Sequence, residues 1–200
     1  MLGLSQSELK ILKKLSTPIK IQDFLDALPV NWGDTYMSPR RILRENKAHC
    51  MEGALLAGLA LWINGEKPLL LDLKAPEDED HVVALYRRNN HWGAISKTNH
   101  AALRFRDPVY KTIRELALSY FHEYFNNETS KKALRSHSNP FNLKRFGFKW
   151  VTSEKDLDYI AEILDFSPHF PLFPKENLRF IRLADIMEQR AGRLTQWPKK

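Results

Sequence analysis

The sequence predicts an α+β domain, and three observations carry that expectation. Residues 49–63 are almost uninterruptedly apolar after Cys50, with Glu52 the only charge. A segment apolar on every face, yet too short to cross a bilayer, is a helix buried on all sides. His81–Arg88 and His91–Thr98 are β-rich runs on either side of the turn pair Asn89-Asn90, which reads as an antiparallel hairpin. Patterns with helical spacing lie before and after this centre. The expectation is a buried, Cys-bearing helix packed on a small antiparallel sheet, with additional helices at both ends. Two hundred residues fit a single domain. Within it, 1–37 would be a helical cover, 38–125 the core, and 126–200 a basic loop with C-terminal helices.

Each element has a local reason. Ser5 with Glu8 is a capping box, followed by Leu9, Leu12 and Leu15 at helical spacing. Thr17-Pro18 is an N-cap with Pro at the first helical position; it leads a second helix through Leu28, which Pro29 stops. Residues 29–41 read as a loop containing Trp32, Asp34 and Tyr36, with Ser38-Pro39 starting a short helix. The buried helix ends at Asn64-Gly65, and Leu69–Leu73 is a buried strand. Residues 75–80 are an acidic turn. Beyond the hairpin, 102–106 is expected to be extended. The amphipathic stretch through Ile113, Leu116, Ala117, Tyr120 and Tyr124 is a helix that starts either at Asp107-Pro108 or at Thr112, where Glu115 completes a second capping box. Thr152 or Ser153 caps a helix through Leu164; residues 166–174 are a proline-punctuated extended wrap; a last helix spans about 175–190, and Trp197–Lys200 is a loose tail.

Composition narrows the function classes. One cysteine rules out an internal disulfide framework and suits a reducing compartment. No leader pattern and no membrane-length apolar stretch is visible, so the expected location is the cytoplasm and no membrane partner is expected. The net charge of +7 permits attraction to nucleic acid. The basic, aromatic-interleaved segment 131–150 is where such binding would lie, but no nucleic-acid motif accompanies it, and a solvated loop with packed aromatics is the preferred reading.

The chemistry centres on Cys50. A cysteine in the first helical turn faces unpaired N–H groups and the positive end of the helix dipole, which favours thiolate. A nucleophile of this kind needs an imidazole to hold and deliver protons, and a third group to orient the imidazole. In chain order Cys50 is followed by one strand and then by His81 at the start of a hairpin. His49 reads as a cap or surface residue rather than the base, since adjacent side chains at a helix start diverge.

This order resembles the transglutaminase-like branch of the papain-type cysteine hydrolases over about residues 38–110. The residues that carry it are Ala48-His49-Cys50-Met51-Glu52-Gly53, Asn64-Gly65, His81-Val82-Val83-Ala84-Leu85 and Trp92-Gly93-Ala94-Ile95-Ser96-Lys97-Thr98. The resemblance implies a papain-like core, Cys50 as nucleophile and His81 as base then acid. It also implies an oxyanion hole from the Cys50 N–H and a second donor, for which Trp32 is one candidate. The family's Asp shortly after the returning Trp is missing. Ser96 stands at that spacing. Asn99 would lie opposite His81 if the hairpin loop held three residues. Asp107 has the right chemical identity, although a tight reversal at 99–101 would carry it about 20 Å away along the sheet. These three remain open as the third member.

His91 and His100, taken with Asp80 and His81, show no diagnostic ligand spacing, so no metal and no cofactor is expected. The expected function is amide or peptide hydrolysis, or acyl transfer, through a thioacyl intermediate on Cys50. The alternatives are an inactive binding or scaffold protein of the same fold and a nucleic-acid-associated protein. The substrate and the oligomeric state are not legible.

Overall fold

The computed structural model describes residues 3–195. Trp197–Lys200 lies outside the described residues. Helix α1 (Gln6–Lys14) begins with the Ser5/Glu8 capping box, and α2 (Pro18–Ala27) with Thr17 as cap and Pro18 at its first position. Helix α3 (Pro39–Glu45) is capped by Ser38 and ends at Asn46 in the left-handed region (φ 54°). Helix α4 (Cys50–Ile63) is buried from Met51 to Leu61. Its four buried leucines each contribute about 1.5–3 kcal/mol by leaving water.

Strands β1 (Leu69–Lys74), β2 (His81–Arg88), β3 (His91–Ile95), β4 (Arg106–Tyr110), β5 (Ser136–Ser138), β6 (Phe141–Asn142) and β7 (His169–Pro171) form one antiparallel sheet. Its order is β4-β3-β2-β1-β5-β7, with β6 also paired to β1. Alternation along β2 feeds two cores. Val82, Ala84 and Tyr86 join α4 and the other N-terminal helices on one face. Val83 and Leu85 pack on the other face with Ala94, Leu116, Ala117, Tyr120 and Tyr124. The fold is therefore α+β, with the Cys-bearing helix laid on one face of the sheet.

Several elements differ from the sequence expectation. The extended segment lies at 106–110, so Asp107-Pro108 belongs to edge strand β4 and not to a helix start. Helix α5 (Ile113–Leu118) begins at the Thr112/Glu115 capping box and passes into a 3₁₀ turn at Phe121–Glu123. Helix α6 (Asp158–Asp165) starts after Leu157, later than Thr152 or Ser153, with a 3₁₀ turn at Lys149–Val151 before it. The expected last helix is a 3₁₀ segment (Lys175–Phe180) followed by α7 (Ile186–Gly192). Within the basic segment, Trp150 and Phe141 are buried in the core, Lys132 pairs with Glu188, and the Arg145 guanidinium lies over Phe141 and Phe146.

One glycine in α4 is dictated by close approach. A Cβ on Gly53 would stand 2.4 Å from Lys97 Cβ. Lys97 has no room to retreat, because it is buried and its ammonium donates to the Leu28 carbonyl at 2.6 Å. Gly53→Ala gains about 1 kcal/mol of helix propensity and meets an overpacking cost of about 1–3 kcal/mol or more. A net loss of stability, read as a lower urea midpoint at unchanged slope, is expected.

Candidate active site

Helix α4 packs against β2. Cys50, the first residue of α4, and His81, the first residue of β2, meet at one end of that packing. Cys50 is half-buried and shares one cavity wall with His81 and His49. Burial alone would raise the thiol pKa, but the two imidazoles bring it down to about 5. Burial would lower His49 in turn. Cys50, the charge of Glu52 and the Thr35 carbonyl together raise it to about 9. His49 is the N-cap residue of α4, and its Nε2 lies 2.5 Å from the Thr35 carbonyl oxygen, leaving Nδ1 for the sulfur. The expectation that its side chain diverges from the first turn is therefore corrected: the ring lies over that turn, with Nε2 3.5 Å from Glu52 Oε1.

The group behind His81 is Ser96. His81 Nε2 and Ser96 Oγ are 2.8 Å apart, and Ser96 Oγ lies 2.5 Å from the Leu103 carbonyl. A hydroxyl has one proton to give, and a carbonyl can only accept it. Ser96 therefore donates to Leu103 and accepts from His81 Nε2–H, and this fixes the tautomer that turns Nδ1 towards the sulfur. Ser96 is itself held by a two-way clamp from α2. Gln22 Nε2 donates to the Ser96 carbonyl at 2.8 Å, and the Ser96 N–H donates to Gln22 Oε1 at 2.9 Å.

Neither Asn99 nor Asp107 holds His81. The hairpin turn has two residues, Asn89 and Asn90, both with positive φ (46° and 63°). Arg88 therefore faces His91 and Ala84 faces Ile95. A three-residue loop would shift this register by one, and a one-residue shift sends a side chain to the opposite face of the sheet. In the actual register Ser96 falls on the His81 face. Asn99 lines the cleft without bonding the imidazole. Asp107 is exposed on β4, between the Ala94–Arg106 and Trp92–Tyr110 pairs, on the hairpin-turn side of the site.

A buried carboxylate locks the wall of the site. Glu52 is fully buried. It accepts from Asn31 Nδ2 (3.1 and 3.0 Å), Thr35 Oγ1 (2.9 Å), the Met37 N–H (3.0 Å) and the His49 N–H (3.0 Å). These bonds tie the 31–37 loop, which bears Trp32, to the first turn of α4.

Two cavities meet at Cys50. The smaller, about 220 Å³, reaches past His81, Lys97, Asn99 and His100 to Gly192. The larger, about 1010 Å³, runs between the 31–37 loop and α6. Asn31, Trp32, His49, Cys50, Glu79 and Asp80 line both. Trp32, 62% exposed, stands at the junction. His91 bonds the Asn89 carbonyl at the hairpin turn, and His100 bonds the Gly192 carbonyl, so the two do not converge with Asp80 and His81. Among the described residues, the acidic or imidazole groups that do converge are Asp72, Asp80 and Asp165, within 4.8 Å of one another. The Lys74 ammonium bonds Asp165 there and lies 3.6 Å from Asp80.

Sequence reasoning missed the part of His49 at the sulfur, the clamp by Gln22 and the buried Glu52. Only Glu52 gave a signal, as the single charge in an otherwise apolar helix.

No family model matches the chain, and no curated protein matches it. Among solved structures, Legionella pneumophila LapG (EGTA-treated) is similar, at 13% identity and a TM-score of 0.39, over 71% of this chain and 80% of that one. A likeness of that degree carries no argument about this chain's activity. No helix among the described residues is long and apolar enough to cross a membrane.

Proposed function

We propose that this protein is a cysteine-dependent amide or peptide hydrolase or acyltransferase of transglutaminase-like type. The observation that carries the reading is the Cys50–His81–Ser96 arrangement: a thiol at a helix start, its pKa depressed by nearby imidazoles, that shares a cavity with an imidazole whose Nε2 is already committed to Ser96. Cys50 thiolate attacks the carbonyl carbon and a C–S bond forms. The oxyanion is met by the N–H groups at the start of α4. His81 Nδ1–H gives its proton to the leaving nitrogen as the C–N bond breaks, which leaves a thioacyl-enzyme. A water or an amine then attacks the thioester; His81 takes its proton, and Cys50 departs as thiolate. His49 stays protonated beside the sulfur and stabilises its negative charge without entering the proton transfers. Ser96 and Gln22 are positioning residues that act through the His81 ring.

The test begins with alkylation of the sole cysteine by iodoacetamide across pH. Only thiolate reacts, and the Cys50 pKa is lowered to about 5, so the rate is expected to fall as pH drops through about 5 and to be flat above it. A midpoint near the ordinary thiol value would overturn the reading. The second step is p-nitrophenyl acetate, which should give a burst of nitrophenolate, an acetyl group on Cys50 by mass spectrometry, and continued turnover. A reactive cysteine that never turns over would instead mark an inactive binding protein of this fold.

A further inference from the structure

The charge of the larger cavity is opposite to that of the molecule. The chain carries 31 Lys and Arg against 24 Asp and Glu. Yet seven carboxylates line the 1010 Å³ chamber, among them Asp34, Asp72, Asp158 and Glu162, against no Lys or Arg and one imidazolium, that of His49. Among the described residues, Asp34, Glu79, Asp158 and Glu162 have no salt-bridge partner. Carboxylates that share a concave wall repel one another, and their combined field concentrates cations there.

A second observation points to a missing partner. Asp72 is 2% exposed and lines the chamber. Its Oδ2 is bonded by His169 Nε2 at 3.0 Å, whereas its Oδ1 is buried with no hydrogen-bond partner. A buried carboxylate oxygen left unpaired is costly, which favours a donor arriving from outside. The same wall already holds one ammonium, since Lys74 is seated on Asp165 and Asp80 from the side. Burial raises the Tyr36 phenol first, and the charges of Asp34, Cys50, Asp158 and Asp165 raise it further, as a negative chamber requires. Trp32 at the junction and Phe166 at the rim, 84% exposed, offer aromatic faces to a cation and to its aliphatic stem.

We infer that the larger chamber binds a cationic side chain, lysine or arginine, of the peptide or amide whose carbonyl is presented to Cys50. This deepens the hydrolase or acyltransferase reading and rests on it. The volume suits a long side chain together with adjoining peptide. The smaller chamber carries fewer carboxylates, Asp78, Glu79, Asp80 and Glu123, and one lysine, Lys97, whose ammonium donates to the Leu28 carbonyl. The larger chamber's carboxylates therefore set substrate preference by charge, while the chemistry stays with Cys50 and His81.

The experiment uses the full chain and measures protection of Cys50 from iodoacetamide by short peptides of matched length: oligolysine, oligoglutamine and oligoglutamate. Half-protection by oligolysine is expected at a concentration at least about tenfold below that of oligoglutamine, with no protection by oligoglutamate. The advantage should shrink as salt is raised. It should fall towards one in the double variant Asp158→Asn, Glu162→Gln, whose two positions are exposed on α6 and make no side-chain hydrogen bonds in the wild type. Equal protection by lysine and glutamine peptides, with Cys50 freely alkylated, overturns the charge preference and leaves the nucleophile reading standing. Protection by calcium or magnesium alone, at concentrations below those needed for oligolysine, would make the chamber a metal site and equally overturn it. A Cys50 that iodoacetamide never modifies sinks the nucleophile itself, and the two failures are told apart in that way.

Discussion

His81→Gln is expected to lower steady turnover of p-nitrophenyl acetate by about 10²–10⁴-fold, the range that general acid–base catalysis contributes. Glutamine can still bond Ser96, but it cannot accept and return a proton at neutral pH. The variant also loses one of the two imidazoles that offset the burial of Cys50. Its alkylation midpoint should therefore move up from about 5 as well, while His49 keeps part of the effect. Ser96→Ala is the finer control. It leaves His81 Nε2–H without its acceptor and frees the tautomer, so turnover should fall while iodoacetamide still reaches the thiolate. If His81→Gln turns over like the wild type, His49 is the working base and the assignment is reversed.

Glu52→Ala is expected to cost about 3–5 kcal/mol, the penalty for removing one partner from a buried charged network. Three groups lose their acceptor at once, the Thr35 hydroxyl and the Met37 and His49 N–H groups, and the Asn31 amide keeps only its bond to Thr35 Oγ1. Against a total stability of about 5–15 kcal/mol for a domain of ordinary size, this is a large share. Glu52→Gln keeps the volume and one good acceptor but points an NH₂ at donors, so it should recover only part of the loss. The measurement is chemical denaturation of the three proteins, with trypsin nicking of residues 31–37 as a local readout. A Glu52→Ala protein as stable as the wild type would mean that these bonds do not hold the loop.

What was legible in the sequence is what a single local rule controls. The all-apolar run after Cys50 read as a buried helix, and one capping box and two Pro-led starts gave α1, α2 and α3 their first residues, while the start of α5 stood open between Asp107-Pro108 and Thr112. The pairing of Cys50 with His81 was what the family resemblance implied, and the fold sets both at the start of elements that pack together. The partner of His81 was not legible, because it turns on whether a hairpin loop holds two residues or three, and one residue exchanges the two faces of a strand. Asn89 and Asn90 both adopt the left-handed conformation, which chose the shorter turn. Strands β5, β6 and β7 are two or three residues long and carry no period of their own. The buried role of Glu52 depends on a loop that returns from 15 to 21 residues upstream, which no window of sequence reports.

The Gln22 clamp on Ser96 changes what the amino-terminal helices are for. A cover could be trimmed away without harm to whatever works beneath it. Here the amide that steadies the serine behind the imidazole is supplied by α2. A shortened version keeping only residues 38–125 would retain the sulfur and the ring yet lose the brace that sets their angle. The smallest unit that keeps this arrangement is thus larger than the stretch that holds Cys50 and His81.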